Sequence, residues 1–285
     1  MINKDRAIFD VDEEVAAAGG PSEYKKRMWA VLMKREADFI TSSFRYDSTV
    51  VRVKGWNESA ASLTVQPAQY SDQLVTNHER ALEQELPNDP TRKIRDLAYA
   101  SGELRHFGNS PMSNTIGIAG MIHTKDRIWV IGLRSRKNAF DPGKWGCSAS
   151  GALEWAEPPN WNGRDLKNWM RRALARECGE ELGFRPSLEE IHYLAFAREF
   201  GRAGKPQFFF VVHTPMRWRD VERSWKVYAS DERELSDIKD LDEDQARTLV
   251  GKDSAKVRAI VDEVKLSEEL RMNLALAIQN ANQHA

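Results

Sequence analysis

Apolar residues recur along this chain at two periods, and each period predicts a kind of element. Across 116–124 and 127–133 almost every position is apolar, Ile116, Ile118, Met121 and Ile122 in the first run and Ile128, Trp129, Val130, Ile131 and Leu133 in the second. Such runs predict two strands covered on both faces, joined by a turn at Lys125-Asp126. Shorter strand-like runs lie at 49–53 and 62–65, separated by Gly55-Trp56-Asn57, and at 145–150, 191–199, 208–214 and 225–229. Helical periodicity marks 22–40, where Tyr24, Met28, Val31, Leu32 and Phe39 fall on or near one face behind a Ser22 cap, and 165–182, stopped by Gly183. It marks 255–266 and 268–280 as well, carrying Val257, Ile260, Val261, Leu270, Leu274 and Ile278. Thr76-Asn77-His78-Glu79 has the form of a capping box and predicts a helix through Leu86, and Thr91 is a second candidate cap for a helix over 92–100. The N-terminal third of the chain therefore mixes α and β. The texture changes near residue 112, where Gly, Asn, Ser and Pro cluster, which divides the chain into an N-terminal α+β region (1–112), a strand-rich central domain (113–240) and a C-terminal helical extension (241–285).

Composition narrows the function classes more than it narrows the fold. The 285 residues carry a formal net charge of −1 with signs interspersed, so there is no basic footprint for nucleic acid. No apolar run is long enough to span a membrane, and the start, Met1-Ile2-Asn3-Lys4-Asp5-Arg6, lacks the pattern of a signal peptide. Two cysteines, Cys147 and Cys178, exclude a disulfide framework and a four-cysteine zinc site, and the expected compartment is the cytoplasm. The oligomeric state is left open, a homodimer included. His123 and His213 sit in apolar strands and read as structural histidines, and Cys147 reads as packing.

One helix departs from the bland pattern. At about 100° per residue, Glu177, Glu180 and Glu181 fall in one wedge, in line with Leu166, Met170 and Ala173. A stripe that should be core thus ends in three acids. Carboxylates gathered in a recess need a compensating cation, and oxygen donors of this kind suit Mg²⁺ or Mn²⁺.

The residues around that helix carry a resemblance. Gly151 and Glu157, then Arg176, Glu177, Cys178, Glu180, Glu181, Gly183 and Phe184, match the box G-x5-E-x7-R-E-U-x-E-E-x-G-U, in which U is bulky and apolar. The stretch resembles the Nudix hydrolase family. Eighteen residues separate Glu157 from Arg176 where the family pattern has seven, so about eleven are inserted, beginning Pro158-Pro159-Asn160-Trp161-Asn162-Gly163. The resemblance covers roughly 113–240 and implies an α/β/α sandwich flanked by the N-terminal region and the C-terminal helices. It implies a Mg²⁺-dependent enzyme that hydrolyses the diphosphate of a nucleoside diphosphate linked to another group. In that reading Glu177, Glu180, Glu181 and the Gly151 carbonyl hold the metal. Glu177 accepts the proton of the attacking water, and Arg176 pairs with Glu157.

Arg134 and Arg136, following the second apolar strand, are candidates for phosphate contact. Glu199, Glu232 and Glu234 are candidates for a further, distal carboxylate, Glu154 for an addition to the metal shell, and Trp145, Trp155 and Trp161 for stacking a base or sugar. The partner implied is a small nucleotide, with neither a membrane nor a nucleic acid expected. Tyr70-Ser71-Asp72-Gln73-Leu74-Val75-Thr76-Asn77 looks like the Y-x-D-x-x-x-T-N stretch ahead of the domain in members that hydrolyse UDP-sugars, but reads more plainly as a strand end followed by the capping box. The alternatives are a non-catalytic ligand sensor on the same fold and an ADP-ribose or dinucleotide pyrophosphatase. An isopentenyl-diphosphate isomerase-like enzyme ranks lower, because no reactive-cysteine motif stands near residue 100.

Overall fold

Strand pairing organises the chain, seen in a computed structural model that describes residues 49–57, 62–86, 89–138, 140–155, 166–230, 234–251, 254–261 and 266–283. The helix expected over 22–40, together with Glu157, Trp161 and Glu232, lies outside the described residues. The chain is α/β, a mixed sheet with helices, and divides into two compact units. One falls within Met1–Gly117, Ala152–Asp165 and Ala197–Gln207, the other within Ile118–Gly151, Leu166–Phe196 and Phe208–Ala285.

In the first unit, β1 (Thr49–Asn57) and β2 (Ser62–Gln69) form an antiparallel hairpin with a bulge between Val53 and Gly55. The Gly55-Trp56-Asn57 stretch, expected to separate two strands, is therefore the end of β1. The bulge absorbs the glycine without ending the ladder. The other edge of β1 bonds to two further segments: Val51 N–H donates to the Leu153 carbonyl (2.8 Å) and Ile116 N–H to the Val51 carbonyl (2.8 Å).

Helix α1 (Tyr70–Thr76) follows β2, and α2 (Glu79–Leu82) is a single turn. Thr76 is thus the last residue of a helix rather than the cap of the next. The chain to Leu86 then closes as a strand pair, β3 (Glu85–Leu86) on β4 (Asp89–Lys93). The helix expected over 92–100 is instead the end of β4, a 3-10 turn (Ile94–Ala98) and β5 (Tyr99–Ala100), which pairs with β6 (Glu103–Leu104). Thr91 lies within β4, and Asp96 accepts from Lys93 N–H (2.7 Å) where a helix start was expected at Thr91. Leu82, Leu86, Ile94, Leu97, Ala98, Met112 and Ala203 form the core beneath these short elements.

The 70–77 stretch works as a clamp within this unit. The Thr76 hydroxyl donates to the Asp72 carbonyl (2.7 Å) and accepts from Ser113 N–H (3.0 Å). Asn77 Oδ1 accepts from Asn114 N–H (3.3 Å), and its Nδ2 donates to the Arg202 carbonyl (2.9 Å). Both side chains are buried, and together they hold the turn that leads into residue 117.

The second unit is built on a seven-stranded sheet in the order β11-β12-β7-β8-β13, with β10 on β7 and β9 on β8. These strands are β7 (Gly117–His123), β8 (Trp129–Arg134), β9 (Trp145–Gly146), β10 (Ala149–Ala152), β11 (Ile191–Glu199), β12 (Lys205–His213) and β13 (Leu235–Leu241). Every residue of β7 but the last is buried, as its unbroken apolar run predicts. The expected strand over 145–150 is split into β9 and β10. Ser148 is turned inward at the break, where its hydroxyl accepts from Ile122 N–H (2.8 Å). Residues 225–229 are not a strand but the end of helix α4 (Trp218–Tyr228). Val221 and Ser224, three apart, are its buried positions, and Lys226 bridges Glu222 one turn back (2.6 Å).

The acidic stretch after residue 234 contains β13, antiparallel to β8, with Leu235, Ile238 and Leu241 buried between exposed acids. Three helices complete the unit: α5 (Glu243–Val250), α6 (Ser254–Val261) and α7 (Glu268–Gln283). Asp242 caps α5 by accepting from Gln245 N–H (2.8 Å). Among the described residues no helix is long and apolar enough to cross a membrane.

Candidate metal and diphosphate site

The site helix, α3 (Leu166–Leu182), buries Trp169, Met170, Ala173, Leu174, Cys178, Glu181 and Leu182. These positions recur at the three- and four-residue spacing of one helical face. Leu174 packs over Gly120 of β7, where an added Cβ would lie 2.8 Å from the leucine. The helix ends where expected: Gly183 takes a left-handed conformation (φ 78°), and Ser230 N–H caps the Glu180 carbonyl (2.9 Å).

Glu181 continues the apolar stripe and is 2% exposed. One carboxylate oxygen accepts from Ser150 N–H of β10 (3.1 Å), while the other, Oε2, is buried without a hydrogen-bond partner. Burial pushes its pKa well above the ordinary carboxylate range. The charges of Glu234 and Glu177 push the same way, and Arg134 with the Ser150 N–H oppose them. Glu177 and Glu180 lie further out, their side chains 12% and 38% exposed, and Arg176 holds both through separate guanidinium nitrogens at 2.7 Å. Arg176 therefore ties two box acids together, and its expected partner Glu157 lies outside the described residues. Gly151 on β10 faces Glu177 so closely that a Cβ would sit 2.2 Å from Glu177 Oε1. Only glycine leaves room for that approach of backbone to carboxylate.

Arg134 ends β8 beside these groups. Its Nε donates to the Phe140 carbonyl (3.0 Å), one terminal nitrogen to Ser150 Oγ (3.1 Å), and the other meets Glu234 Oε2 at 3.5 Å. Burial alone would lower its pKa, but Glu234, Glu181, Glu269 and Asp141 more than reverse this and raise it. Arg136, the other phosphate candidate, is exposed on the loop beyond. Of the two distal carboxylates among the described residues, Glu234 is the one brought to the site, where it also accepts from Asn138 Nδ2 (3.1 Å). Glu199 belongs to the other unit, paired with Lys205 and Arg202 (3.4 Å each).

Trp145 is core rather than a stacking platform, 6% exposed with its carbonyl accepting from Ser267 N–H (2.9 Å). Trp155 is half-buried and belongs to the first unit, where its N–H donates to the Thr49 carbonyl (2.7 Å). Cys147 packs against Asn273 Nδ2 (3.6 Å), and burial holds its thiol well above the ordinary range, which leaves it inert. Ser150 and Asn138 were not singled out from the sequence. Their role depends on pairings 31 and 96 residues apart, which no local pattern announces.

Among the described residues no three His, Cys, Asp or Glu side chains converge on one point, since Arg176 holds Glu177 and Glu180 and Glu181 is turned to Ser150. The donor chemistry nevertheless fits a hard divalent cation. Three carboxylates and a carbonyl stand on adjoining elements, one buried carboxylate oxygen lacks a partner, and the glycine backbone lies against a second carboxylate.

No family model matches the sequence, and no curated protein matches it. Solved structures similar to the chain include a mutT/nudix family protein from Listeria innocua, at 16% identity over 60% of this chain and 95% of that one, with a TM-score of 0.39. A MutT protein from Methanosarcina mazei Go1 is 13% identical over 59% of this chain and 95% of its own, with a TM-score of 0.38. A bifunctional NMN adenylyltransferase/ADP ribose pyrophosphatase from Francisella tularensis, complexed with AMP and a Mn ion, is 15% identical over 58% of this chain and 42% of its own, with a TM-score of 0.35.

Proposed function

We propose that the chain is a Nudix-type pyrophosphohydrolase, with residues 113–240 as the hydrolase domain, that cleaves a nucleoside diphosphate linked to another moiety into a nucleoside monophosphate and a phosphorylated product. The observation that carries this reading is the closure of the two halves of the sequence box, Gly151 standing directly against Glu177. Glu177, Glu180, Glu181 and the Gly151 carbonyl would hold Mg²⁺ or Mn²⁺, which offsets diphosphate charge and acidifies water. Glu177, the more sheltered of the two acids on Arg176, accepts the proton of the attacking water. Arg176 keeps the two outer carboxylates from repelling one another, and Arg134 fixes β10 against the loop after β8 through Ser150 and Phe140. Glu234, adjoining Arg134, is the distal carboxylate. Nucleotide sugars are the substrate class we favour, on the pattern at 70–77.

A panel of UDP-sugars, ADP-ribose, NADH and dinucleoside polyphosphates, with Mg²⁺ or Mn²⁺, tests the reading. Turnover abolished by chelator and by Glu180→Gln is the expected result. Full activity in that variant or in excess chelator refutes it, and tight binding of one compound without turnover replaces it with a ligand sensor.

A further inference from the structure

At the end of β8 opposite Arg134, five residues and about 17 Å along the strand, the sheet carries a row of imidazoles. His192 on β11, His213 on β12 and His123 on β7 lie side by side, with ring centroids 5.4 Å apart at each step. The row ends on Trp129 of β8, the ladder partner of His123, whose ring stacks on it at 4.2 Å. His123 and His213 face each other through their Nδ1 atoms at 3.3 Å. On the far side of the His123 ring, Nε2 lies 3.5 Å from Glu243 Oε1, on the first residue of α5.

We propose that His123 and His213 form a binding site for a borderline divalent transition ion of the zinc class, with the two Nδ1 atoms as its protein ligands. Two nitrogens each about 2.0–2.1 Å from one tetrahedral ion stand about 3.3 Å apart, which is the separation found. Imidazole suits zinc, copper and nickel and is a poor donor for magnesium, so the pair selects a different class of ion from the carboxylate site. Metal-binding histidines characteristically donate their other ring N–H to a carboxylate, which fixes the tautomer. The Glu243 carboxylate, 3.5 Å from Nε2, favours the tautomer protonated at that nitrogen and leaves Nδ1 with the lone pair. Burial, with Arg127, lowers the His123 pKa against the opposing charge of Glu243 and keeps the ring in the neutral, ligating form. The His123 side chain is 13% exposed, so the pair is not sealed in the core. No third His, Cys, Asp or Glu among the described residues completes the group, so solvent supplies the remaining positions.

The test is calorimetric titration of the full chain with Zn²⁺ in excess Mg²⁺, on wild type, His123→Gln, His213→Gln and Glu243→Gln. One Zn²⁺ is expected to bind the wild type. Each histidine variant should weaken it at least tenfold, and the Glu243 variant by about tenfold, as loss of such a carboxylate typically does. Absence of binding in the wild type, or unchanged binding in both histidine variants, overturns the proposal and leaves the pair as two rings sharing a proton. If a variant does not fold, Co²⁺ on the wild type decides. Intense visible absorption from low-coordinate nitrogen ligation supports the site, and the weak spectrum of a six-coordinate oxygen-bound ion overturns it.

Discussion

Replacing Glu181 by glutamine keeps the shape of the side chain and removes its charge, so it separates what the carboxylate does for the fold from what it does for a cation. In the folded chain this group is fully buried, one oxygen has no partner, and two neighbouring carboxylates oppose a single guanidinium. Its folded pKa therefore lies above its unfolded value. Below the unfolded value, near 4.3, the group is protonated in both states and costs nothing. As pH rises toward the folded value the unfolded chain releases the proton first, and stability falls by up to about 1.4 kcal/mol per pH unit. Above the folded value the loss is constant. Glutamine retains the acceptor for Ser150 N–H and suffers no such loss. In chelator, urea unfolding of Glu181→Gln should match wild type near pH 4.5 and exceed it at pH 8. Saturating Mg²⁺ should reverse the order, since an ion at a hundred times its dissociation constant adds about 2.7 kcal/mol to the form that binds it. A variant less stable than wild type at pH 8 in chelator, or equally stabilised by Mg²⁺, would refute the reasoning.

Three further substitutions probe the surroundings. Gly151→Ala places a Cβ 2.2 Å from Glu177 Oε1; displacing that carboxylate by about 1 Å should cost on the order of 10²-fold in kcat/KM while thermal unfolding shifts little. Arg134→Lys loses the fork that joins Phe140, Ser150 and Glu234, and the urea midpoint should report a loss of about 1–3 kcal/mol. Thr76→Val leaves the buried Ser113 N–H without its acceptor, so stability should fall by about 1–3 kcal/mol; an unchanged midpoint would mean that the 70–77 stretch is not the clamp described.

Legibility followed the range of the interaction that fixes each element. Strands β7 and β8 and helix α3 were readable because their signals are local: two saturated apolar runs, one helical stripe and a glycine in the C′ position. Helix α4 was not, since Trp225 and Val227 favour strand by type while the buried positions are Val221 and Ser224, a face visible only once Gly183 and its neighbours pack against it. Strand β13 hid for the opposite reason: acids alternate with three buried leucine and isoleucine side chains, and its pairing with β8 spans about a hundred residues. In the site, the acids were legible and their partners were not. Ser150 holds Glu181 and Asn138 holds Glu234 across 31 and 96 residues, separations at which no local pattern announces a partner.

The unequal exposure of the three box acids sets how the site can be assembled. Glu177 and Glu180 already have a cation in Arg176, so any second cation must compete with the guanidinium for them, at little cost because such partly exposed pairs are typically worth under about 1 kcal/mol. Glu181 has Arg134 acting on it only through its charge, against the two carboxylates Glu234 and Glu177. Removing a carboxylate from water costs several kcal/mol even after relaxation, against a total stability for a domain of about 5–15 kcal/mol. Leucine or methionine at 181 would extend the Met170, Ala173, Leu174 and Cys178 face without that cost. The inner acid, rather than the outer two, is therefore the group whose burial a bound cation would offset most.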